Sequence, residues 1–165
     1  MQDYSVLEFD GQSADDVALD EAQVAIVVSR YHQSITEKML IASIKTLIRD
    51  GVPEGNIHVA RVPGTWEISL ATERMLETEN YDAIICLGCV VKGETTHDQH
   101  INTMVSSTLG EMALDYSTPV AFGVLTCNTM DQAIQRSGGS VGNKGVEATE
   151  AAIEMMRLLA KIGAQ

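Results

Sequence analysis

Apolar residues in this chain form two alternating patterns, short continuous runs and longer stretches in which they recur at helical spacing. The runs at 22–29, 81–91 and 119–125 contain few polar residues, which is typical of strands buried on both faces. Residues 57–62 form a fourth, shorter segment that is also predicted to be a strand. The pattern therefore predicts four main strands.

The amphipathic stretches between these runs predict helices that begin near residues 34, 65, 97, 128 and 144. Two of them open with a capping-box pattern, Ser34-Ile-Thr-Glu37 and Thr96-His-Asp-Gln99. Because strands and helices alternate, we expect right-handed crossovers between parallel strands. The predicted fold class is α/β, with three α/β/α layers and a parallel sheet of about four strands.

The first residues differ from the rest of the chain in charge and in pattern. Residues 1–23 carry seven acidic residues and no Lys or Arg, within a formal net charge of −12 for the whole chain. They show no clear hydrophobic period. We predict an acidic N-terminal arm, residues 1–21, followed by a single domain, residues 22–165. A short strand near residues 4–9, added at the edge of the sheet, is left open.

Composition excludes several classes of partner. The acidic balance argues against nucleic acid and against an anionic membrane as binding partners. No run reaches the ~18 apolar residues of a membrane helix, and the start lacks a signal-peptide pattern. Three cysteines, an odd number, suit a reducing compartment. We therefore expect a cytoplasmic protein.

The stretch 88–97 carries the strongest chemical signal. A buried strand stops at Lys92-Gly93, and a helix begins directly afterwards. The free backbone N–H groups of such a turn and helix start attract anions such as phosphate. His97 lies in the first helical turn and can transfer protons near neutral pH, although a histidine on a helix surface is the commoner interpretation.

Other polar and aromatic groups also follow predicted strands, where ligands bind in parallel α/β folds. Tyr31 is either ordinary packing or a platform that stacks on a flat heterocycle. Glu67, after Trp66, either interacts favourably with the helix dipole or accepts hydrogen bonds from a polyol or amide ligand. Both alternatives stay open on the residues alone.

Two motifs fail on inspection. Cys86-x-x-Cys89 with the histidines at 97 and 100 resembles a zinc signature. Residues three apart in a strand point to opposite faces, so the two thiols cannot share an ion, and no metal site is predicted. The glycine-rich loop 137–142 lacks the Ser or Thr of a phosphate-binding loop. It is either a flexible connector or a mobile flap carrying Arg136 and Lys144.

The residues themselves indicate an α/β enzyme that handles a phosphorylated small molecule. A closer resemblance rests on five segments in order. They are Arg30-Tyr31, Val62-Pro-Gly-Thr-Trp-Glu-Ile68, Gly88-Cys-Val-Val-Lys-Gly-Glu-Thr-Thr-His97, Gln132-Ala-Ile-Gln-Arg136 and Gly142-Asn-Lys-Gly145. With them the chain, from about Ala22 to Leu159, resembles the 6,7-dimethyl-8-ribityllumazine synthase family of riboflavin biosynthesis.

The resemblance implies two substrates, 5-amino-6-(D-ribitylamino)uracil and 3,4-dihydroxy-2-butanone 4-phosphate, and neither a cofactor nor a metal. It implies that His97 transfers protons and that Arg136 stabilises the departing phosphate. It assigns substrate binding to Tyr31, Thr65, Trp66, Glu67, Cys89, Val90, Val91, Glu94, Thr95, Phe122, Arg136 and Lys144, with Phe122 and Arg136 contributed by a neighbouring subunit. The implied homo-oligomer is a pentamer or a shell of sixty subunits.

The chain departs from the commonest family pattern at four positions. His32 stands where asparagine is usual, Lys92 where arginine is usual, and Ser69 where proline often occurs. Glu94 adds a negative charge to the phosphate turn, so its N–H rather than its side chain would have to face the anion. A protein of this fold that has lost catalysis, and a riboflavin synthase that joins two lumazines, are the competing hypotheses. Retention of His97 and Glu67 argues against the first, and the phosphate-facing cations argue against the second.

Overall fold

The computed structural model describes residue 10, residues 17–78 and residues 80–164. The edge strand considered near residues 4–9 lies outside the described residues, and the division into arm and domain stays a prediction. The strands are β1 Val24–Ser29, β2 Ile57–Val62, β3 Ala83–Val91, β4 Val120–Cys127, β5 Ser137–Gly139 and β6 Gly142–Asn143. The α-helices are α1 Gln33–Arg49, α2 Ile68–Leu76, α3 His97–Asp115, α4 Met130–Arg136 and α5 Lys144–Gly163.

The four main strands form one parallel sheet in the order β2-β1-β3-β4. Strand β3 lies inside it and is buried along all but its last residue, as its unbroken apolar run predicts. One face of the sheet packs against α1 and α5, and the other packs against α2 and α3. This confirms the predicted three-layer α/β/α fold. No helix in the described ranges is long and apolar enough to cross a membrane.

The two faces of β3 also settle the geometry of its cysteines. Cys86 packs with the α2–α3 core, whereas Cys89 packs with the α1–α5 core. The prediction that their side chains point in opposite directions is confirmed. The described residues contain no cluster of three His, Cys, Asp or Glu side chains that could hold a metal ion.

Both predicted capping boxes are wrong, although the helix starts are within a residue of the expected positions. Helix α1 is capped by the carbonyl of His32, and Glu37 instead forms a two-pronged ion pair with Arg61 of β2, at 2.8 and 3.0 Å. At α3, Thr96 has φ −82° and ψ 11°, not the extended backbone that a capping side chain needs. The first turn of α3 is paired differently: Thr95 Oγ1 accepts from His97 N at 3.4 Å, and Thr96 O accepts from Gln99 N at 3.0 Å.

The glycine-rich loop forms a defined structure with Arg136 and Lys144 at its two ends. Strands β5 and β6 form a short antiparallel hairpin in which Ser137 pairs with Asn143. Its tip folds back on α4, because Gln135 Oε1 accepts from Ser140 N at 2.9 Å and Gln135 O accepts from Val141 N at 3.2 Å. The hairpin is thus tied to the preceding helix.

Candidate active site

The chain reverses its direction across the sheet between the neighbouring strands β1 and β3, and ligands in open α/β sheets bind at such a switch point. A cleft of about 870 Å³ opens there, at the carboxyl ends of β1, β2 and β3. The predicted site residues that line it are Tyr31, Thr65, Trp66, Glu67, Cys89, Val90, Val91, Thr95 and His97. Nine residues that are scattered along the sequence therefore meet in one cleft.

The loops after β1 and β2 form one wall. Tyr31 N donates to Pro63 O at 3.0 Å, and Glu67 Oε2 accepts from Gly64 N at 2.8 Å. A Cβ at Gly64 would lie 2.7 Å from the Tyr31 ring, so only glycine lets the ring lie against this turn. Tyr31 is 68% exposed and Trp66 is 48% exposed, so both aromatic side chains remain accessible to a ligand. The wall is suited to a flat, polar molecule.

Because Gly88 of β3 has no side chain, the loop after β2 can pack against the centre of the sheet. A Cβ on Gly88 would lie 2.8 Å from Thr65 Oγ1, so Thr65 occupies the space that a side chain would take. Thr65 is 5% exposed, and its Oγ1 has no hydrogen-bond partner in the described structure. The cleft floor therefore contains a buried hydroxyl without a hydrogen-bond partner among the described residues.

His32 continues this wall in an unusual backbone conformation. Its φ of 58° and ψ of 43° place it in the left-handed region, and its carbonyl accepts from Ile35 N at 2.8 Å and Thr36 N at 3.1 Å. Left-handed backbone is uncommon for residues other than glycine, although Asn, Asp and His tolerate it best. The turn directs both Tyr31 and His32 into the cleft lining.

The opposite wall is the turn between β3 and α3. Lys92 N donates to Cys127 O at 2.8 Å, which fixes the start of the turn to β4. The next four amide groups, residues 93–96, make no hydrogen bond with any described residue. They precede a helix of 19 residues, whose dipole adds positive potential at this end. A turn with these features can accept an anion, and it lies beside His97, the first residue of α3.

Phe122, Arg136 and Lys144 lie elsewhere. They line a second hollow of about 520 Å³ between β4, α4 and the start of α5, and it shares no lining residue with the cleft. Lys144 Nζ pairs with Glu147 Oε2 at 3.1 Å, also at this hollow. Glu94 lines neither space. Within one chain, the predicted residues therefore form two separate groups.

The thiols near both spaces are protonated at neutral pH. Burial raises the pKa of Cys86 to about 12 and that of Cys89 to about 12. Burial also raises the pKa of Cys127, against the opposing effect of the Arg136 guanidinium. None of these thiols is a candidate nucleophile, because only the thiolate reacts. Cys89 contributes shape and backbone to the cleft.

Six lining residues were not predicted as site residues: Gly64, Gly93, His32, Asp98, His100 and Ile101. Helical spacing could have indicated the last two, because His100 and Ile101 follow His97 by three and four residues. Asp98 Oδ1 is buried without a partner in the described structure, which sequence patterns cannot show. His32 lines the cleft because its backbone is left-handed, and no sequence pattern predicts that conformation.

The fold and the cleft define a class: a parallel α/β protein with an anion turn and a histidine at its switch point. Residues 21–160 match the family described as 6,7-dimethyl-8-ribityllumazine synthase, and the chain belongs to that family. A 6,7-dimethyl-8-ribityllumazine synthase of Rhodopirellula baltica is 51% identical over 144 residues, covering 87% of this chain and 93% of the relative. One from Salinibacter ruber is 44% identical over 147 residues, covering 89% and 94%.

Proposed function

We propose that the chain condenses 5-amino-6-(D-ribitylamino)uracil with 3,4-dihydroxy-2-butanone 4-phosphate to 6,7-dimethyl-8-ribityllumazine, in riboflavin biosynthesis. The observation that carries the proposal is the juxtaposition of four unpaired amide groups, at 93–96, with His97 in one cleft. An anion grip beside a proton carrier is what a reaction that expels phosphate requires. Membership of the family supports the same reaction.

The pyrimidine occupies the wall formed by the β1 and β2 loops. Tyr31 stacks on the heterocycle, and its exposed ring supports this role. Thr65, Trp66 and Glu67 hold the ribityl chain, for which Thr65 Oγ1 and the fixed carboxylate of Glu67 supply hydrogen-bonding groups. The backbone of residues 89–91 borders the edge of the heterocycle.

The phosphate ester occupies the β3–α3 turn. Glu94 and Thr95 contribute their N–H groups, which have no partner among the described residues. The Glu94 side chain is exposed and lies outside the cleft lining, which is compatible with an N–H rather than a carboxylate contact. This arrangement accommodates the one acidic residue in the turn.

The reaction proceeds in three steps. The pyrimidine amine attacks the butanone carbonyl, and loss of water gives an imine. Removal of a proton from the adjacent carbon expels inorganic phosphate and leaves an enol, which takes up a proton at its terminal carbon and loses its hydroxyl proton to become a ketone. Attack of the ribitylamino nitrogen on that new carbonyl closes the ring with loss of another water. His97 carries protons in these steps, and Arg136 stabilises the departing phosphate. No metal or cofactor takes part.

The complete site is formed between two copies of the chain. The lining of the cleft includes no Lys or Arg within the described residues, whereas Arg136 and Lys144 line a separate hollow with Phe122. Arg136 and Lys144 reach the phosphate turn if the hollow of one subunit faces the cleft of the next. Such a composite site is compatible with a closed ring, the pentamer of the family or a shell of twelve such rings.

An assay of product formation tests the reaction. Purified protein given both substrates, without added metal, is expected to release inorganic phosphate and to form the fluorescent lumazine in equal amounts. Omitting the butanone phosphate is the control. Absence of phosphate release at every substrate concentration would refute the proposed function.

Replacement of His97 tests its role. His97→Ala is expected to slow turnover about ten- to a thousandfold, the usual contribution of general acid–base catalysis. His58→Ala is the matched control, because His58 is bonded to Tyr81 OH outside the cleft lining. Equal turnover in wild type and His97→Ala would return His97 to the role of a surface residue.

A further inference from the structure

The hairpin β5–β6 brings the two cations of the second hollow to the same place. Arg136 ends α4 directly before the paired residue Ser137, and Lys144 begins α5 directly after its partner Asn143. The distance between the two helix ends is therefore set by the contacts across the Ser137–Asn143 pair. Both cations line the hollow.

The Asn143 side chain connects the elements around this pair. Its Nδ2 donates to Ser137 O at 3.2 Å, and its Oδ1 accepts from Gly145 N at 2.9 Å as the cap of α5. A longer contact, 3.5 Å from Nδ2 to Lys38 O, reaches α1. One side chain thus ties the residue after Arg136 to the residue after Lys144.

The residues on both sides of this connection are tightly packed. Ser137 is fully buried, and its Oγ donates to Ile134 O at 3.1 Å within α4. A Cβ on Gly145 would lie 2.3 Å from Met39 O, so the start of α5 lies directly against the backbone of α1. Both β5 and the start of α5 lie against α1, and the Asn143 side chain adds a direct tie between the two sides of the pair.

We propose that Asn143 is a positioning residue, which fixes Arg136 and Lys144 at the spacing needed to grip one phosphate group. The proposal rests on the proposed function, in which these cations meet the butanone phosphate. It does not give Asn143 any contact with substrate. Its effect is expected on the phosphorylated substrate alone, because the pyrimidine lies in the cleft and not in the hollow.

Asn143→Ser separates positioning from helix capping. A serine hydroxyl can still accept from Gly145 N and cap α5, but it is too short to bond Ser137 O as well. We expect KM for the butanone phosphate to rise about tenfold, as small misplacements of binding groups do, with KM for the pyrimidine unchanged. Asn143→Thr should behave alike and serves if the serine variant does not fold.

Ser43→Ala is the matched control for lost stability. Ser43 Oγ and Thr149 Oγ1 form a buried hydrogen bond between α1 and α5, 2.5 Å long, and neither residue belongs to the hairpin or lines the hollow. This variant should lower Tm without changing either KM. An Asn143→Ser enzyme with the wild-type KM for the butanone phosphate, or with both KM values raised alike, would overturn the proposal.

Binding of inorganic phosphate separates this proposal from the proposed function. Calorimetry should show weaker phosphate binding by Asn143→Ser than by wild type and Ser43→Ala, with the oligomeric state matched by sedimentation. If wild type releases no phosphate from the substrates, the proposed function fails. Equal phosphate binding by wild type and Asn143→Ser overturns the positioning role whatever the assay shows.

Discussion

Hydrogen bonds and close contacts with neighbouring residues fix the positions of single side chains in this protein. Glu67 is held by the amide of Gly64, which in turn lies against Tyr31, so three residues of the cleft wall have fixed relative positions. Arg136, by contrast, forms no ion pair among the described residues, and it shares its hollow with Asp131 and Glu147. Its guanidinium is available for an anionic ligand.

Arg136→Ala should weaken use of the butanone phosphate. Loss of a charged hydrogen bond to phosphate costs about 2 kcal/mol, or roughly thirtyfold in kcat/KM. The control is Arg74→Ala, which removes a surface arginine paired with Glu77 on α2. Steady-state kinetics with the butanone phosphate as the varied substrate measures the effect, and unchanged kcat/KM would show that Arg136 has another role.

The buried thiols should resist alkylation in the folded protein. Burial raises the pKa of Cys86 and of Cys89 to about 12, so both are neutral thiols at pH 8. Iodoacetamide labelling followed by mass spectrometry should be slow at these residues and fast after unfolding. Rapid labelling of the folded protein at pH 8 would contradict the raised pKa values.

The raised pKa values of the same thiols also predict how the free energy of unfolding changes with pH. Their folded pKa lies above the unfolded value of roughly 8.5, so the folded state retains protons that the unfolded state loses. Their contribution to the free energy of unfolding is complete below that value and declines as pH rises toward 12.

At the scale of elements, the sequence predicts what local pattern determines. Strand β2 has the predicted bounds, Ile57–Val62, and β3 is shorter than the apolar run by two residues. The capping box at α1 failed because Glu37 pairs with Arg61, which is distant in sequence. The hairpin was missed because its pairing depends on Gln135 and Asn143, whose side-chain partners no periodicity reveals.

The site residues also divide into those that local sequence patterns predict and those that they do not. The strand ends were predictable, because ligands bind there in every open parallel sheet. The assignment of Phe122, Arg136 and Lys144 came from resemblance, and their position in a hollow apart from the cleft follows only from the folded chain. Local sequence patterns do not encode which faces meet across a subunit boundary.

Gly145→Ala tests the contact between α5 and α1. The new Cβ would lie 2.3 Å from Met39 O and 2.8 Å from Met39 C, and a backbone carbonyl cannot move aside without its helix. We expect a loss of about 1–3 kcal/mol, as for overpacked cores, and a lower Tm by calorimetry. Gly163→Ala, with nothing within 4 Å in the same helix, should change Tm little.

At the scale of the whole molecule, the cleft and the hollow are separate spaces on the described chain. In the ring of identical chains proposed above, the hollow of each chain would complete the cleft of its neighbour, with one composite site at every boundary. An isolated chain then carries both halves of a site but cannot join them.

Hybrid oligomers test this arrangement. When His97→Ala and Arg136→Ala chains assemble together at equal amounts, about a quarter of the boundaries join an intact cleft to an intact hollow. Co-refolded mixtures should therefore recover up to about a quarter of wild-type turnover. Activity no higher than the sum of the two separate variants would place His97 and Arg136 in one chain's site.

The left-handed backbone at His32 limits how this position can change during evolution. Histidine, asparagine and aspartate are the non-glycine side chains that best tolerate such φ and ψ values. Branched replacements such as valine would unwind the turn and pull the neighbouring tyrosine from the pocket. The backbone torsion angles at position 32 therefore restrict which residues it can accommodate, independently of any requirement for ligand binding.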